Sequence, residues 1–262
     1  MTLELQICTI DTGIERLRET LCSMMPRDDV RYLVSWQYTS PEEPQVPAWL
    51  EERPDVEVIL QKGRGLCRNR NHALEHALHR EHPHPSELIV KICDDDERWT
   101  NEFFDTILET YRQHPEYDIV HYQAQGKQKT YPPYFVSSWE LTLRLARLGN
   151  LRFDERFGLG SSHLNAGEES VLLYDAKQQG LHIHYEPRPI CELSDSSTGD
   201  DIHNPLLARS KGAVLGYTKS LPTALWLSVR ESLGWMVRRG ENPIRFLRNM
   251  LWGIKYIRQC QP

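Results

Sequence analysis

Short apolar runs alternate with longer amphipathic stretches over the first two thirds of the chain. The short runs predict strands, because they are rich in β-branched residues and bounded by turn residues. The longer stretches predict helices, because their apolar residues recur every three or four positions. The predicted strands are 4–11, 30–36, 56–60, 88–93, 118–124 and 181–186. The predicted helices among them are 14–25, 66–79, 100–111, 137–148 and 167–179.

This alternation of strands and helices indicates an α/β fold with a mostly parallel sheet covered by helices on both faces. The polar segment 194–204, rich in Ser, Asp and Gly, predicts a loop. Two further helices are predicted near 223–239 and 243–259. We therefore expect one α/β domain over residues 1–203 and a helical extension over residues 204–262.

The net charge of −6 is distributed unevenly along the chain. Residues 204–262 contain ten Lys or Arg and two Glu, a net charge of +8, so residues 1–203 carry −14. Within 243–259 apolar residues recur at helical spacing among basic ones, a pattern typical of a helix lying on an anionic membrane. The pattern is equally typical of a helix that docks its apolar stripe on the protein. Contact with an anionic membrane through 223–259 therefore stays open, and no nucleic acid partner is expected.

The expected compartment follows from three features of the sequence. The N-terminus lacks the basic and then apolar layout of a signal peptide, and no run approaches about 18 apolar residues. The six cysteines are scattered without a CxxC motif, which favours reduced thiols. We expect a cytoplasmic protein, attached peripherally to the inner face of the cytoplasmic membrane if its last helices bind lipid.

Three consecutive aspartates, Asp94, Asp95 and Asp96, directly follow the apolar run 88–93. A parallel strand delivers the residues after it to the carboxyl edge of the sheet, where α/β proteins bind ligands. Adjacent carboxylates repel one another unless a cation neutralises them, and such oxygen ligands suit Mg²⁺ or Mn²⁺ held partly by substrate phosphates. The alternative is a solvated acidic turn that caps the helix beginning near Thr100.

Two further patterns carry candidate chemistry. Gly63 and Gly65 precede the predicted helix 66–79, whose N-terminus favours anions, and nearby arginines can pair with a diphosphate. A tight turn with surface arginines is the alternative. Glu168 and Glu169 follow Gly167 at the start of another predicted helix, where a carboxylate can take a proton from a hydroxyl or simply stabilise the helix dipole.

In their order and spacing, these motifs resemble family 2 inverting glycosyltransferases of the GT-A type, and most of all bacterial members that act on surface-polysaccharide sugars. The matching pieces are Asp11, Arg68-Asn69, the three aspartates at 94–96, the FDERFG sequence at 153–158 and Gly167-Glu168-Glu169. They span roughly residues 3–200. The resemblance implies a GT-A-like, Rossmann-related α/β fold. It also implies transfer of a sugar from a nucleotide-diphosphate sugar to a hydroxyl of a glycan or polyprenyl-linked acceptor.

The resemblance implies roles for individual residues on the donor side. Asp11, at the end of the first predicted strand, would contact the nucleotide base or ribose. Arg68, with Asn69 beside it, would hold the nucleotide end of the donor. Asp94 would bind the ribose, and Asp95 would also contact the donor.

The resemblance also implies a divalent cation, Mg²⁺ or Mn²⁺, held on the donor diphosphate by Asp96 together with Asp94. Similar sequences carry a His four residues before a Ser-(Ser/Thr)-Gly, and that His can complete the metal site. In this chain the position is Leu193. His203 is then the candidate third ligand, with two neighbouring aspartates as alternatives.

On the acceptor side, the resemblance implies that Glu169 deprotonates the acceptor hydroxyl and that Glu168 orients the acceptor. A base on the face of the sugar opposite the leaving nucleotide requires direct displacement, and direct displacement inverts the anomeric centre.

Two other functions compete with this interpretation. A nucleotidyltransferase that makes nucleotide-sugars would carry a longer, Gly-rich and basic loop after the first strand, whereas here the short acidic segment Asp11-Thr12-Gly13 follows it. A catalytically inactive nucleotide- or carbohydrate-binding relative is conceivable because the loop histidine is missing. The presence of Glu169 and of all three aspartates argues against it.

Histidines provide one further candidate site. His72, His76 and His79 share a face of the predicted helix 66–79, and histidines at i, i+4 can bind zinc. No Glu or Cys joins them at a diagnostic spacing, so an exposed polar face is the favoured interpretation.

Overall fold

The computed structural model describes residues 1–81, 87–126, 136–193 and 204–260. Within these ranges the strands are β1 Thr2–Ile10, β2 Val30–Tyr38, β3 Val56–Lys62, β4 Leu88–Asp94, β5 Glu97–Arg98, β6 Ile119–Ala124, β7 Leu141–Arg144 and β8 Ile183–Leu193. The α-helices are α1 Leu17–Ser23, α2 Ala48–Glu51, α3 Leu66–His79, α4 Asn101–Gln113, α5 Glu168–Gln178, α6 Pro205–Thr218, α7 Leu221–Arg239 and α8 Pro243–Gln259. Short 3₁₀ helices cover Asp11–Arg16, Ser138–Glu140 and Leu145–Arg147.

The strands form a sheet in the order β3-β2-β1-β4-β7-β6-β8-β5. Strands β1 to β4 pair in parallel, and β6 pairs in parallel with β8. Strand β7 is antiparallel to both of its neighbours, and β5 is antiparallel to β8. The predicted α/β fold with a mostly parallel sheet flanked by helices is confirmed.

The chain divides into two compact units. The first contains Met1–Arg64, Arg68–Arg152 and the described part of Asp175–Asp195, and all eight strands lie in it. The second contains Gly65–Cys67, Phe153–Tyr174 and the described part of Ser196–Pro262. The domain boundary at residue 203 stays a prediction.

The core of the first unit explains why the sequences of the strands are almost continuously apolar. The central strand β1 is buried on both faces, so Leu3, Leu5 and Ile7 are fully enclosed, as expected for parallel strands covered on both sides. Helix α4 packs an apolar face into the same core. Its N-cap Thr100 accepts a hydrogen bond from Phe103 N, which satisfies a backbone donor of the first turn.

The helix predicted over residues 137–148 is wrong. The segment forms two short 3₁₀ turns on either side of β7, which lies between β4 and β6. All four residues of β7 are buried, and Thr142 Oγ1 donates to Val120 O at 3.1 Å while the Tyr111 hydroxyl lies 3.0 Å from Thr142 O. Pairing with two distant strands thus overrides the local helical signal.

Other segments also differ from the prediction, and strand β8 continues to Leu193 where the predicted strand ends at residue 186. The helix predicted from residue 14 begins as the 3₁₀ helix Asp11–Arg16 and continues as α1. Helix α6 was not predicted at all, although Asn204 caps it by accepting from Leu206 N and Pro205 occupies its first turn. That Asn-Pro pair is a recognisable helix start. The helix predicted over 243–259 coincides with α8.

In the second unit, α8 packs its apolar stripe inward. Met250 and Ile257 are fully buried and Ile254 nearly so. Glycines bring α8 close to α6: a Cβ on Gly212 would overlap Met250 O, and one on Gly253 would overlap Arg209 O. Among the described helices, none is long and apolar enough to cross a membrane.

Candidate functional site

The carboxyl ends of β1, β2 and β4 lie at one edge of the sheet because these strands are parallel and in register, with Cys8 opposite Asp94. The aspartates at 94–96, here called the acidic turn, follow at that edge: Asp94 ends β4, and the next two residues form the turn into β5. The placement expected for these three residues is therefore the placement observed.

Asp94 is held by two side chains from distant parts of the first unit. The guanidinium of Arg70, a residue of α3 that is 1% exposed, donates to Asp94 Oδ1 at 3.0 Å. The hydroxyl of Ser138 donates to Oδ2 at 2.9 Å. About a third of the Asp94 side chain remains exposed. A buried arginine therefore neutralises this carboxylate and fixes its orientation.

The side chain of Asp95 is mostly buried, with 13% of it exposed. Its Oδ2 accepts from the Thr9 hydroxyl at 2.7 Å, and its Oδ1 accepts from Arg16 Nη1 at 3.0 Å. A Cβ on Gly13 would overlap Asp95 Oδ2, so the glycine leaves the space that this carboxylate fills. Burial raises the pKa of Asp95, although the Thr9 hydroxyl and the Arg16 charge oppose the shift. Asp95 thus joins the acidic turn to the segment after β1.

A buried ion pair lies beneath the acidic turn. Lys91 of β4 and Glu97 of β5 are both fully buried, with Lys91 Nζ 2.5 Å from Glu97 Oε2. Glu97 also accepts from Asp94 N at 2.7 Å and from Trp99 Nε1 at 3.1 Å. Burial raises the pKa of Glu97, and the Lys91 charge opposes the shift. The pair therefore fixes the backbone that carries the three aspartates.

Asp11 lies at the end of β1 in a left-handed conformation, with φ of 49°. Its carboxylate accepts from Thr39 N at 2.8 Å and from Thr39 Oγ1 at 3.0 and 3.1 Å, which ties the end of β1 to the residue after β2. Its backbone oxygen accepts from Trp36 Nε1 at 2.9 Å. The side chain is exposed at the sheet edge, and its predicted contact with the nucleotide stays a prediction.

Arg68 and Asn69 occupy different environments although they are adjacent. Arg68 is exposed, and a Cβ on Gly63 would lie 3.1 Å from its Nη1. Asn69 is buried: its Nδ2 donates to Thr9 O and Ser35 O, and its Oδ1 accepts from the Ser35 hydroxyl. In this structure Asn69 joins β1 to β2. The contacts that the resemblance assigns to both residues stay predictions.

The donor set for a divalent cation is incomplete among the described residues, which contain no cluster of three or more His, Cys, Asp or Glu with metal-binding geometry. Asp96 is partly exposed at the acidic turn, and the exposed part of Asp94 lies at the same turn. Two hard carboxylate ligands fit Mg²⁺ or Mn²⁺ that takes its other ligands from phosphate and water. His203 lies outside the described residues. Leu193 ends β8 and pairs with Glu97, directly beside the acidic turn.

In the second unit, residues 153–160 form a turn that is anchored at both ends. Asp154 accepts from Arg156 N at 3.0 Å, and Arg156 Nη1 donates to Cys260 O at 2.8 Å. Leu66 N donates to Leu159 O at 2.8 Å. Phe153 and Phe157 are buried. The conformation of the FDERFG sequence thus depends on contacts at both ends of the turn.

Glu168 and Glu169 begin α5, and both are buried. Gly158 has φ of 86°, and a Cβ there would lie 2.8 Å from Cys67 Sγ and 3.4 Å from the Glu168 carboxylate. The Glu168 carboxylate therefore lies against the backbone of the FDERFG turn. A helix N-terminus favours acidic side chains, and both glutamates lie in the first turn of α5.

Gly167, which precedes these glutamates, has φ of 97°, and a Cβ there would overlap Val214 Cγ2. We expect Gly167→Ala to lower the free energy of unfolding by about 2–4 kcal/mol, because steric overlap adds to backbone strain. Gly180→Ala is the matched control: its φ is 80°, but nothing lies within 4 Å of the added atom. The control should lose only about 1–2 kcal/mol. Urea unfolding measures both free energies of unfolding. Equal losses in the two variants would show that overlap with Val214 does not contribute to the loss.

The structure adds contacts that the sequence did not predict. Arg70 and Ser138 bind Asp94, Thr9 and Arg16 bind Asp95, and Lys91 pairs with Glu97. Only Lys91 carried a signal in the sequence, since a lone charge inside an apolar strand is rarely buried without a partner. The other partners come from positions distant in sequence, so no local pattern identifies them.

The histidines of α3 do not form a zinc cluster in the described part of the chain. His76 Nε2 lies 2.6 Å from Glu57 Oε1, so this histidine interacts with β3. His72 Nδ1 lies 3.4 Å from the Ser35 hydroxyl, and burial lowers the pKa of His72. The interpretation as a polar helix face is consistent with these contacts.

No family model matches the chain, and no curated protein is similar to it in sequence. Solved structures are similar in fold. Residues 1–349 of S. aureus TarS are 12% identical, with a TM-score of 0.55 over 100% of this chain and 92% of that one. The same fragment in complex with UDP-GlcNAc is 13% identical, with a TM-score of 0.52 over 100% of this chain and 93% of that one.

A mannosyltransferase from Pyrobaculum calidifontis, PcManGT, in complex with GDP-Man and Mn²⁺, is also similar. It is 14% identical, with a TM-score of 0.54 over 99% of this chain and 76% of that one. A longer TarS structure is 14% identical, with a TM-score of 0.56 over 92% of this chain and 44% of that one. Identities this low show a shared fold and leave the function to be argued from the residues.

Proposed function

We propose that the protein is a glycosyltransferase that moves a sugar from a nucleotide-diphosphate sugar to a hydroxyl of a glycan or lipid-linked glycan acceptor, with inversion. The observation that carries the proposal is the acidic turn at the carboxyl edge of β4, in a fold shared with a mannosyltransferase structure that contains GDP-Man and Mn²⁺. Ligands of α/β proteins bind at this edge of the sheet.

The donor-binding part of the proposal rests on the first unit. Asp11 and Asp94 are exposed or partly exposed acceptors at the edge, suited to the hydroxyls of a ribose. Arg68, which is exposed near the start of α3, would pair with an anion of the donor. Arg70 neutralises Asp94, and this reduces the repulsion between the carboxylate and an incoming diphosphate. Asn69 and Asp95 would help to position these groups, because both residues contact Thr9 of β1.

Asp96, together with Asp94, would hold Mg²⁺ or Mn²⁺ on the donor. The bound cation would stabilise the negative charge of the leaving nucleoside diphosphate. In the second unit, Glu169 would take the proton of the acceptor hydroxyl, and Glu168 would orient the acceptor. Attack by that hydroxyl on the anomeric carbon breaks the bond to the diphosphate in a single displacement, and the anomeric configuration inverts.

Thermal unfolding with a set of UDP- and GDP-sugars, with and without Mn²⁺, tests the donor part of the proposal. A donor at 100 times its dissociation constant should stabilise the protein by about 2.7 kcal/mol. Since each kcal/mol shifts the Tm of a protein of this size by about 2–4 °C, the effect is measurable. In Asp96→Asn the additional stabilisation by Mn²⁺ should disappear.

The control for this experiment is Asp28→Asn, which removes an exposed aspartate far along the chain from the acidic turn. It should keep the full response to donor and Mn²⁺. If no nucleotide-sugar stabilises the wild-type protein, or if Asp96→Asn responds as Asp28→Asn does, the proposed donor site is wrong. Stabilisation by a donor without any transfer activity would favour an inactive nucleotide-binding relative.

A further inference from the structure

Helix α7 is unusual in what it exposes. Seven large apolar side chains on it are between 40% and 79% exposed, and they recur at helical spacing along its whole length. We call these residues the outer face of α7: Leu221, Leu225, Trp226, Val229, Leu233, Met236 and Val237. Single exposed apolar residues are ordinary on protein surfaces, but a continuous apolar stripe of this kind marks an interaction surface.

The side of α7 that packs against the protein is formed largely by small residues. Ala224, Ser228 and Ser232 are buried together with Leu227, and the partly buried Trp235 stacks on Phe246 with ring centroids 5.0 Å apart. The two serine hydroxyls donate to carbonyls one turn earlier, Ser228 to Ala224 O at 2.8 Å and Ser232 to Ser228 O at 2.7 Å. An amphipathic surface helix normally has its larger apolar residues inside. Helix α7 therefore has two apolar sides, and its packing within the protein accounts for only one.

The charged residues in the sequence of α7 and just before it are mostly basic. Between residues 219 and 239 the sequence contains four Lys or Arg and one acid, Glu231, a net charge of +3. Arg230 lies at the margin of the face, with its guanidinium 5.3 Å from the centre of the Trp226 ring. Its Nη2 is 3.7 Å from Glu231 Oε1, so the single acid is compensated. An apolar stripe with a tryptophan and a basic margin is the pattern of a helix that lies in a lipid interface.

We propose that the outer face of α7 binds the surface of a lipid bilayer that contains anionic headgroups. The apolar side chains would enter the boundary between headgroups and acyl chains, and the basic residues would contact the headgroup phosphates. The charge disfavours the nearest competing occupant, a second copy of this chain, because joining two copies through the face would bring together two segments that each carry a net charge of +3. We assign the predicted membrane contact to α7, because Met250, Ile254 and Ile257 of α8 are buried within the second unit.

Co-sedimentation of the full chain with lipid vesicles tests the proposal. Two preparations are compared, phosphatidylcholine alone and phosphatidylcholine mixed with phosphatidylglycerol. We expect binding to the anionic vesicles, weaker binding to the neutral ones, and a loss of the difference at high salt. The double variant Val229→Glu with Leu233→Glu should bind the anionic vesicles at least about tenfold more weakly, since two buried apolar contacts are replaced by charges that anionic lipid repels.

The control is Met25→Glu, which places one new negative charge, of the same kind as each of the two in the double variant, at a 76% exposed apolar residue of the first unit. It should bind as the wild type does. All substituted positions are exposed, so folding should be preserved, and circular dichroism checks this. Equal binding of wild type and double variant would overturn the proposal, as would equal binding to neutral and anionic vesicles or no binding at all. A dimer in light scattering that the double variant dissociates would assign the face to a second copy instead.

Discussion

Replacing Glu169 by Gln is expected to lower kcat for sugar transfer by about 10²- to 10⁴-fold, the usual contribution of a general base. Glu169 is buried at the start of α5, and the amide has nearly the same shape, so packing should be preserved. The amide nitrogen and oxygen cannot take up the acceptor proton as a carboxylate does. Initial rates with the donor found by thermal unfolding provide the measurement, and donor affinity should be almost unchanged.

Two controls make this result specific. Glu51→Gln changes the same charge at an exposed position of the first unit, and it should leave kcat unaltered. Glu168→Gln should raise KM for the acceptor more than it lowers kcat, because Glu168 is assigned to orientation rather than proton transfer. Wild-type kcat in Glu169→Gln would show that another group is the base, whereas a parallel loss of donor affinity would indicate a structural role.

The second large effect concerns stability. Lys91→Met removes the cation from the buried pair and leaves Glu97 fully enclosed, so the free energy of unfolding should fall by about 3–5 kcal/mol at neutral pH. Burial already raises the pKa of Glu97 above its ordinary value of 4.5, and loss of Lys91 removes a charge that opposes this shift. An acid with a raised pKa in the folded state loses stability as the pH rises through that pKa. The deficit of the variant should therefore shrink as the pH falls towards 4.5.

The control for this substitution is the double variant Lys91→Met with Glu97→Gln. The glutamine is neutral, and its oxygen can still accept from Asp94 N, so most of the lost stability should return. Urea unfolding of the wild type, the single variant and the double variant at two pH values provides the comparison. A single variant as stable as the wild type, or a double variant no better than the single one, would contradict the role assigned to the pair.

Local sequence determined much of the fold. Helix α3 was predicted at its observed bounds, 66–79, because a glycine-containing turn precedes a clear helical period. Strand β4 was identified from its apolar run and its acidic end, which also located the acidic turn. Strand β7 could not be identified in this way. Its strand conformation depends on pairing with β4 and β6, which lie far from it in sequence, and the local Ser-Ser-Trp-Glu pattern favours a helix start.

In the candidate site, too, the sequence could predict some residues and not others. The aspartates and glutamates could be found from their positions after strands and before helices. Their partners could not, because Asp94 binds Arg70 and Ser138, which are 24 and 44 residues away in sequence. The resemblance assigns a role to Arg68, which is exposed. The guanidinium that binds Asp94 instead belongs to Arg70, which is buried two residues further along α3. Such pairings depend on tertiary packing and not on spacing along the chain.

The close contact of α6 and α8 has a consequence for how sequence change is tolerated in the last quarter of the chain. Where Gly212 meets Met250 O and Gly253 meets Arg209 O, the helices touch through their backbones, close enough for weak Cα–H···O interactions. In a saturation-mutagenesis library selected for folding alone, these two positions should accept no other residue. The outer face of α7 should accept polar substitutions freely in the same selection. Folding of this region would then depend on these two glycines at the helix contact. The large apolar residues of the outer face of α7 would be kept only by selection for binding to a partner surface.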